Sequence, residues 1–269
     1  MATTVEVIAD AMKAVGTPFI TGHPGGESVE LMDAARQRDM RFLLFKQEVA
    51  AAMMAATWGE ITGAPGICLS TRGPGASNMV NGVSYAALDR APLIAITDQY
   101  DPATYSTGMR QRLNQLAMYE PLVKWSTTIN AKSVRQQVRR ALRETTAPPP
   151  GPVHFELPQS ETTREAGEYG GEAPLMANVV AIEPDRASLR APLDLIAKAR
   201  RPIILVGLGA LWGHASEAVT AFAEHLDAPV LTTAKCKGVI SEDHALRAGC
   251  IIGGIIERKL VSQADLIIT

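Results

Sequence analysis

The sequence is short of cysteine and of net charge, and each shortage closes off a class of function. Three cysteines, Cys68, Cys236 and Cys250, stand far apart in 269 residues, with no CxxC and no Cys/His spacing. That argues against a disulfide framework or a zinc site and fits a reducing cytosol. Cys68 lies inside the apolar run GICLS and reads as a small core residue. A net charge of −2 gives no electrostatic reason to expect nucleic acid or an acidic membrane surface as partner. No stretch supplies the roughly 20 apolar residues a membrane span needs. The N-terminal MATTVEVIADAMKAVG is an amphipathic pattern broken by Glu6, Asp10 and Lys13, not a signal peptide. A soluble, cytoplasmic protein is expected.

What is present is enough apolar sequence, 46% of residues, for a substantial core in one large domain or two ordinary ones. Short apolar runs alternate with longer segments of helical period. PFIT, RFLLF, GICLS, PLIAIT, LVKWSTTI and PVHFELP are strand candidates, and helical patterns such as EVAAAMMAATWGEITG and SVRQQVRRALRETT lie between them. Such alternation predicts a doubly wound parallel α/β sheet with helices on both faces, over residues 1–160. The polar, Gly- and Pro-containing stretch 161–185 reads as a linker. Over 186–269 the alternation resumes with PIILVGLG, SEAVTAFAEHL, APVLTT and ADLIIT, a second Rossmann-like α/β domain that is incomplete. LIIT has the character of an interior parallel strand, which needs both faces covered. The expectation is therefore a chain that is the front part of a longer protein or one piece of a split one.

In an open parallel sheet, ligands gather outside the carboxyl ends of the strands. The segments expected there are GHPGGES, KQE, TRGPGASN and DQYDPATYSTGMRQR. TRGPGASN has the glycines of a phosphate cradle but neither the P-loop lysine nor GxGxxG spacing, so alone it reads as a tight strand-to-helix turn. GLGALWG is an imperfect dinucleotide loop. Glu48 alone reads as a first-turn acid favoured by the helix dipole, by ~0.3–1 kcal/mol.

The order and spacing of these loops shift that balance. PGG, then a strand ending at Glu48, then TRGPGASN, then DRAPLIAIT, resembles thiamine diphosphate-dependent enzymes of the acetolactate synthase and 2-oxo acid decarboxylase group. The resemblance covers essentially the whole chain: 1–160 is similar to the pyrimidine-binding domain, and 186–269 to the start of the middle domain. It implies that Glu48 hydrogen-bonds N1′ of the cofactor's aminopyrimidine and favours the imino tautomer, which takes the proton from thiazolium C2. A carboxyl group kept from water holds a proton more readily, which suits that exchange. The resemblance also places Pro24, Gly25 and Gly26 at the mouth of the site, Thr71, Pro74 and Asn78 along the cofactor pocket, and Gln111 near pyrimidine and substrate. Alanines 50–52, 55 and 56 fall at an implied subunit contact, and an ordinary buried helix of high propensity accounts for them equally well. Three positions depart from the pattern. Gln47 stands where many relatives have histidine, His23 where acetolactate synthases often have an aromatic residue, and Arg72 where a small residue is usual.

In the family, the diphosphate is held through Mg²⁺ by a GDG motif followed by asparagine in a C-terminal domain. No GDG occurs here, and no metal ligands are assigned within this chain. The chain by itself is expected neither to hold the cofactor tightly nor to turn over. The resemblance implies a 2-oxo acid substrate and a homodimer or homotetramer, or a partner chain carrying the diphosphate-binding domain. Three alternatives stay open: a non-catalytic binding or assembly subunit of the same fold, a decarboxylase or acetyltransferase of the family, and a flavin (FAD) bound by the second domain.

Overall fold

The structure is a computed structural model that describes residues 2–168, 176 and 183–269. The chain divides into two compact units, Met1–Val180 and Ala181–Thr269.

The first unit runs α1 (Thr4–Ala14), β1 (Phe19–His23), a 3₁₀ turn (Gly26–Ser28), α2 (Val29–Arg36), β2 (Arg41–Leu44), α3 (Glu48–Thr62), β3 (Gly66–Ser70), α4 (Pro74–Leu88), β4 (Leu93–Gln99), α5 (Gln115–Tyr119), β5 (Trp125–Thr128), α6 (Val134–Thr146), β6 (Pro152–Pro158) and α7 (Gln159–Thr162). Its strands form one six-stranded sheet in the order β2-β1-β3-β4-β6-β5, and every pairing is parallel. The doubly wound α/β expectation is met.

Strand residues alternate between two cores, as a period of two requires. Ile67 and Leu69 of β3, with Ile94 and Ile96 of β4, face α1, α2 and α6. Cys68, Leu93 and Ala95 face α3 and α4. Cys68 is thus the small core residue its context suggested, and burial pushes its thiol up to about 12. Helix α1 is fixed at its start by a capping box in which Thr3 and Glu6 exchange hydrogen bonds.

Small residues set how closely α3 and α4 approach. A Cβ on Gly82 would stand 2.5 Å from Ala52 Cβ and 2.8 Å from the Val49 carbonyl oxygen. Alanine has the higher helix propensity, by ~1 kcal/mol, but overpacking costs ~1–3 kcal/mol. Gly82→Ala is therefore expected to destabilise the unit in urea unfolding, with part of the loss recovered by adding Ala52→Gly. A variant as stable as its parent would show that the two helices are free to move apart.

Strand β4 extends beyond the apolar run that predicted it. Asp98 and Gln99 are polar, yet they continue the ladder against Leu157 and Pro158 of β6. They remain in the strand because their side chains find buried partners, Ser28 for Asp98 and Glu156 for Gln99. Beyond β6, residues at the front of the expected linker dock on this unit. Ala166 N–H donates to the Ala2 carbonyl at 2.9 Å, Gly167 N–H to that of Ala131 at 2.9 Å, and Ala131 N–H to the buried Glu161 carboxylate at 2.6 Å. Most of 169–182 lies outside the described residues.

The second unit contains α8 (Arg190–Lys198), β7 (Pro202–Val206), α9 (Leu208–Trp212), α10 (Ser216–Leu226), β8 (Val230–Thr232), β9 (Arg247–Cys250), α11 (Ile255–Gln263) and β10 (Leu266–Ile268). Its four-stranded parallel sheet has the order β10-β7-β8-β9. Helix α10 spans the segment SEAVTAFAEHL read from the sequence. Strand β9 was not legible: RAGC has no apolar alternation, Gly249 adopts φ 119°, and the register shifts at Val230/Leu231. Among the described residues, no helix is long and apolar enough to cross a membrane.

Candidate functional site

Strand order locates the site before any side chain is considered. From β1 the chain passes to β2 on one side, then returns to build β3 and β4 on the other. The crevice at such a reversal, beyond the carboxyl ends of the strands, is where open α/β sheets bind ligands. His23 and Ser70 pair at the ends of β1 and β3, so HPGGES and TRGPGASN leave the sheet side by side.

Glu48 is the first residue of α3 and is only 8% exposed. Gln47 before it is extended, with φ −140° and ψ 135°, and its side chain makes no cap. The Glu48 carboxylate instead meets the start of α4: the Asn78 side-chain amide donates a short hydrogen bond to Oε2. Gly75 leaves room for the other oxygen, since a Cβ there would lie 3.3 Å from Oε1 and 2.8 Å from Thr71 Cγ2. Thr71 in turn reaches the β1 turn, where a Cβ on Gly25 would come 2.7 Å from its Oγ1. Glu48, Asn78, Thr71 and Gly25 therefore form one cluster drawn from the first turns of α3 and α4 and the loops after β3 and β1.

The other expected positions fall around it with less specific geometry. Pro74 is at the start of α4, where a missing N–H costs nothing, and follows Gly73 at φ 67°. Gln111 has φ 58°, and its carbonyl oxygen lies 2.3 Å from where a Gly73 Cβ would be. The backbone of Gln111 thus covers the GPG turn, while its side chain is exposed. Pro24 is half-buried, and Gly26 is exposed with open space around it.

Several residues not assigned a place in the site from the sequence complete the neighbourhood. Buried Gln115, not Gln111, ties the GPG turn to the sheet: its Nε2 donates to the Asp98 carbonyl at 3.0 Å and its Oε1 accepts from Gly73 N–H at 3.4 Å. Arg72 pairs with Glu27 at 2.7 Å and lies over the Tyr100 ring, 4.1 Å from its centroid. Asp98 is fully buried and accepts from Ser28 Oγ at 2.7 and 2.8 Å. Burial, with Glu27 and Glu30 nearby, pushes its carboxyl up to about 7 despite the opposing Ser28 hydrogen bond and Arg72. The sequence signal for Asp98 was an acid directly after an apolar run, which reads equally as the start of a loop.

His154 is a structural histidine. It is buried on β6, stacked on Tyr119 at 4.0 Å, and placed between Thr97 Oγ1 at 2.9 Å and Ser126 Oγ at 2.8 Å. Burial drives its imidazole down to about 3, so it stays neutral.

Residues 2–118 match the thiamine pyrophosphate enzyme N-terminal TPP binding domain, and residues 189–269 match the central domain of the same enzymes. The chain belongs to the thiamine pyrophosphate enzyme family. It is 32% identical over 98% of its length to a Methanocaldococcus jannaschii protein named "Probable acetolactate synthase large subunit", covering 46% of that protein. It is 30% identical over 97% of its length to the acetolactate synthase large subunit of Parasynechococcus marenigrum, covering 44% of it. In structure it is similar to the thiamine diphosphate-dependent 4-hydroxybenzoylformate decarboxylase of Rhodococcus jostii, with a TM-score of 0.84 and 22% identity. That match spans 99% of this chain and 51% of the decarboxylase and shows the shared fold. The chain spans about half the length of the curated relatives it matches.

Thiamine pyrophosphate, synonymous with thiamine diphosphate, offers a flat aminopyrimidine at one end and a diphosphate at the other. The Glu48 cluster suits the first: a mostly buried carboxylate, an amide beside it, and glycines at 25 and 75 where a side chain would fill the space. Among the described residues, no group of three or more His, Cys, Asp or Glu could hold a metal ion. In the second unit, the glycine turn after β7 leads into the short helix α9 beside a largely apolar cavity of about 500 Å³ lined by Val206, Gly207, Gly209, Val219 and Phe222.

Proposed function

We propose that this chain forms the pyrimidine-binding and central domains of a thiamine diphosphate-dependent enzyme that makes or breaks a C–C bond beside the carbonyl of a 2-oxo acid. Acetolactate synthase-like carboligation is the reaction the relatives favour. The observation that carries this reading is the placement of Glu48, a mostly buried carboxylate at the reversal point of the sheet, with Asn78 on one oxygen and the Gly75 gap beside the other.

When bound, the cofactor supplies a carbon nucleophile for the 2-oxo group. Glu48 would hold the proton at pyrimidine N1′, and Asn78, by its hydrogen bond to Oε2, would fix the carboxylate and leave Oε1 free for the cofactor. Thr71 and the turn at Gly25 wall the pocket, Pro74 sets the direction of α4, and Pro24, Gly26 and Gln111 border the mouth. Mg²⁺ and the diphosphate are held by a domain outside these residues, either later in the same polypeptide or on a partner chain. Two copies, or four, would then assemble so that the domains holding the two ends of the cofactor meet at a subunit contact.

The complete protein, given thiamine diphosphate and Mg²⁺, should consume pyruvate or a related 2-oxo acid and lose that activity without the cofactor. A 2-hydroxy-3-oxo acid product identifies carboligation, and an aldehyde identifies simple decarboxylation. No cofactor-dependent consumption across a panel of 2-oxo acids would leave a non-catalytic subunit of the same fold.

A further inference from the structure

Glu156 of β6 is a carboxylate buried without a cation. It is 5% exposed, and among the described residues no lysine, arginine or histidine pairs with it. Glu161, equally buried, has Arg164 at 2.7 Å. The donors that Glu156 does meet are neutral: Gln99 Nε2 at 2.7 Å from Oε1 and Thr128 Oγ1 at 2.7 Å from Oε2. The direction of the Gln99 amide is fixed, because its own oxygen accepts from Tyr100 N–H at 2.8 Å. A carboxylate oxygen can accept two hydrogen bonds, so each of these has one position left among the described residues.

Those oxygens belong to the lining of a cavity of about 370 Å³ at the carboxyl ends of β4, β5 and β6. Gln99, Thr128, Tyr100 and Tyr105 wall it, and its rim at Pro102 and Asn114 is exposed, so a solute can enter. No member of the Glu48 cluster lines it. Arg72 and Arg112 lie near the two tyrosine rings, at 4.1 and 5.8 Å from their centroids, but neither lines the cavity. Their guanidinium groups are directed to Glu27 and to the Tyr105 and Ser106 carbonyls.

A carboxylate kept from water is costly unless a positive charge accompanies it. An ammonium or guanidinium group entering this cavity brings that charge and N–H donors for the unfilled acceptor positions, and tyrosine rings attract cations as well. A metal ion fits less well, since no group of three or more acidic, His or Cys ligands is present among the described residues. We propose that this cavity is a binding site for a small organic cation, an ammonium or guanidinium group on a short stem. The bland alternative makes Glu156 only a tie between strand ends, with water filling the space.

Calorimetry on the complete protein separates the two by comparing butylammonium with 1-butanol, which match in length and differ in charge. Butylammonium should bind roughly tenfold tighter or more, the scale of a charge-assisted hydrogen bond. Glu156→Gln keeps the size of the side chain while removing the charge, and should bring the ratio close to one. Tyr105→Leu, at a half-buried wall position, leaves the carboxylate intact and should lower the ratio roughly two- to fivefold through the lost ring. Equal binding of the two probes by the unmodified protein, or a ratio that survives Glu156→Gln, overturns the proposal. Should Glu156→Gln fail to fold, the Tyr105→Leu ratio decides, and an unchanged value is the contrary result. Neither probe carries an oxo group, so the expected ratio in a protein that consumes no 2-oxo acid would sink the catalytic reading alone.

Discussion

Glu48→Gln in the complete protein is expected to lower cofactor-dependent turnover by ~10²–10⁴-fold, the usual contribution of a positioned acid or base. Glutamine keeps the size of the side chain and can still accept from Asn78, so the junction between α3 and α4 should survive. On the proposed role of Glu48, what it lacks is a group that can take up and release a proton at N1′. Steady-state kinetics alongside unfolding measurements would check this, with the rate reduced while stability changes little. Asn78→Ala serves as the companion. It leaves Glu48 in place but removes the amide from Oε2, and its cost should be smaller because the proton-holding group remains. A Glu48→Gln enzyme with near-parental turnover would return Glu48 to the role of a helix-terminus acid.

The second large effect is on stability and is set by pH. Folded, Asp98 keeps its proton up to about pH 7, whereas an ordinary aspartate releases it near 3.8. Between those values the folded state binds the extra proton, so raising the pH weakens it. Above about 7 the penalty is complete and constant, and below 3.8 it is absent. At 1.36 kcal/mol per pH unit, the full penalty is on the order of 4 kcal/mol. His154 acts in the opposite sense. It stays neutral down to about 3 when folded but charges near 6.5 when unfolded, so stability is lost as pH falls through that window. Over the range where the two overlap their slopes oppose, and the parent's own pH profile hides both.

Asp98→Asn exposes the first contribution. Asparagine can still accept from Ser28 but has no charge to bury, so the variant should gain on its parent from pH 4 to 8 in urea unfolding. That gain should rise up to about pH 7 and be level from there to 8, where Asp98 is ionised in both states. A difference that does not vary with pH would mean that Asp98 is charged in the folded protein across the whole range.

Particular elements show what could be read without coordinates. GICLS and PVHFELP coincide with β3 and β6 because interior parallel strands are continuous apolar runs bounded by turn residues. Glu48, Asn78, Thr71 and Gly25 were each expected near one pocket; the structure joins Glu48 to Asn78 by a hydrogen bond and sets Thr71 and Gly25 close by, through the reversal between β1 and β3. Gln111 is the glutamine the resemblance implies, and only the fold shows that Gln115, the first residue of α5, turns inward. The Glu27–Arg72 pair joins residues far apart in sequence, and nothing local marks an ion pair of that kind. Asp98 and Gln99 looked like loop because polarity in a buried strand becomes legible only when its partners are known. Strand β9 was missed because four residues with a glycine at positive φ carry no period.

Hydrogen exchange at C2 of the thiazolium ring bears most directly on the central claim, because it reports proton movement before any 2-oxo acid is bound. In the complete protein with Mg²⁺, bound thiamine diphosphate should exchange C2–H for deuterium far faster than the free cofactor, and Glu48→Gln should remove most of that acceleration. An exchange rate unchanged by the substitution would contradict the assignment of Glu48 as the residue that activates the cofactor.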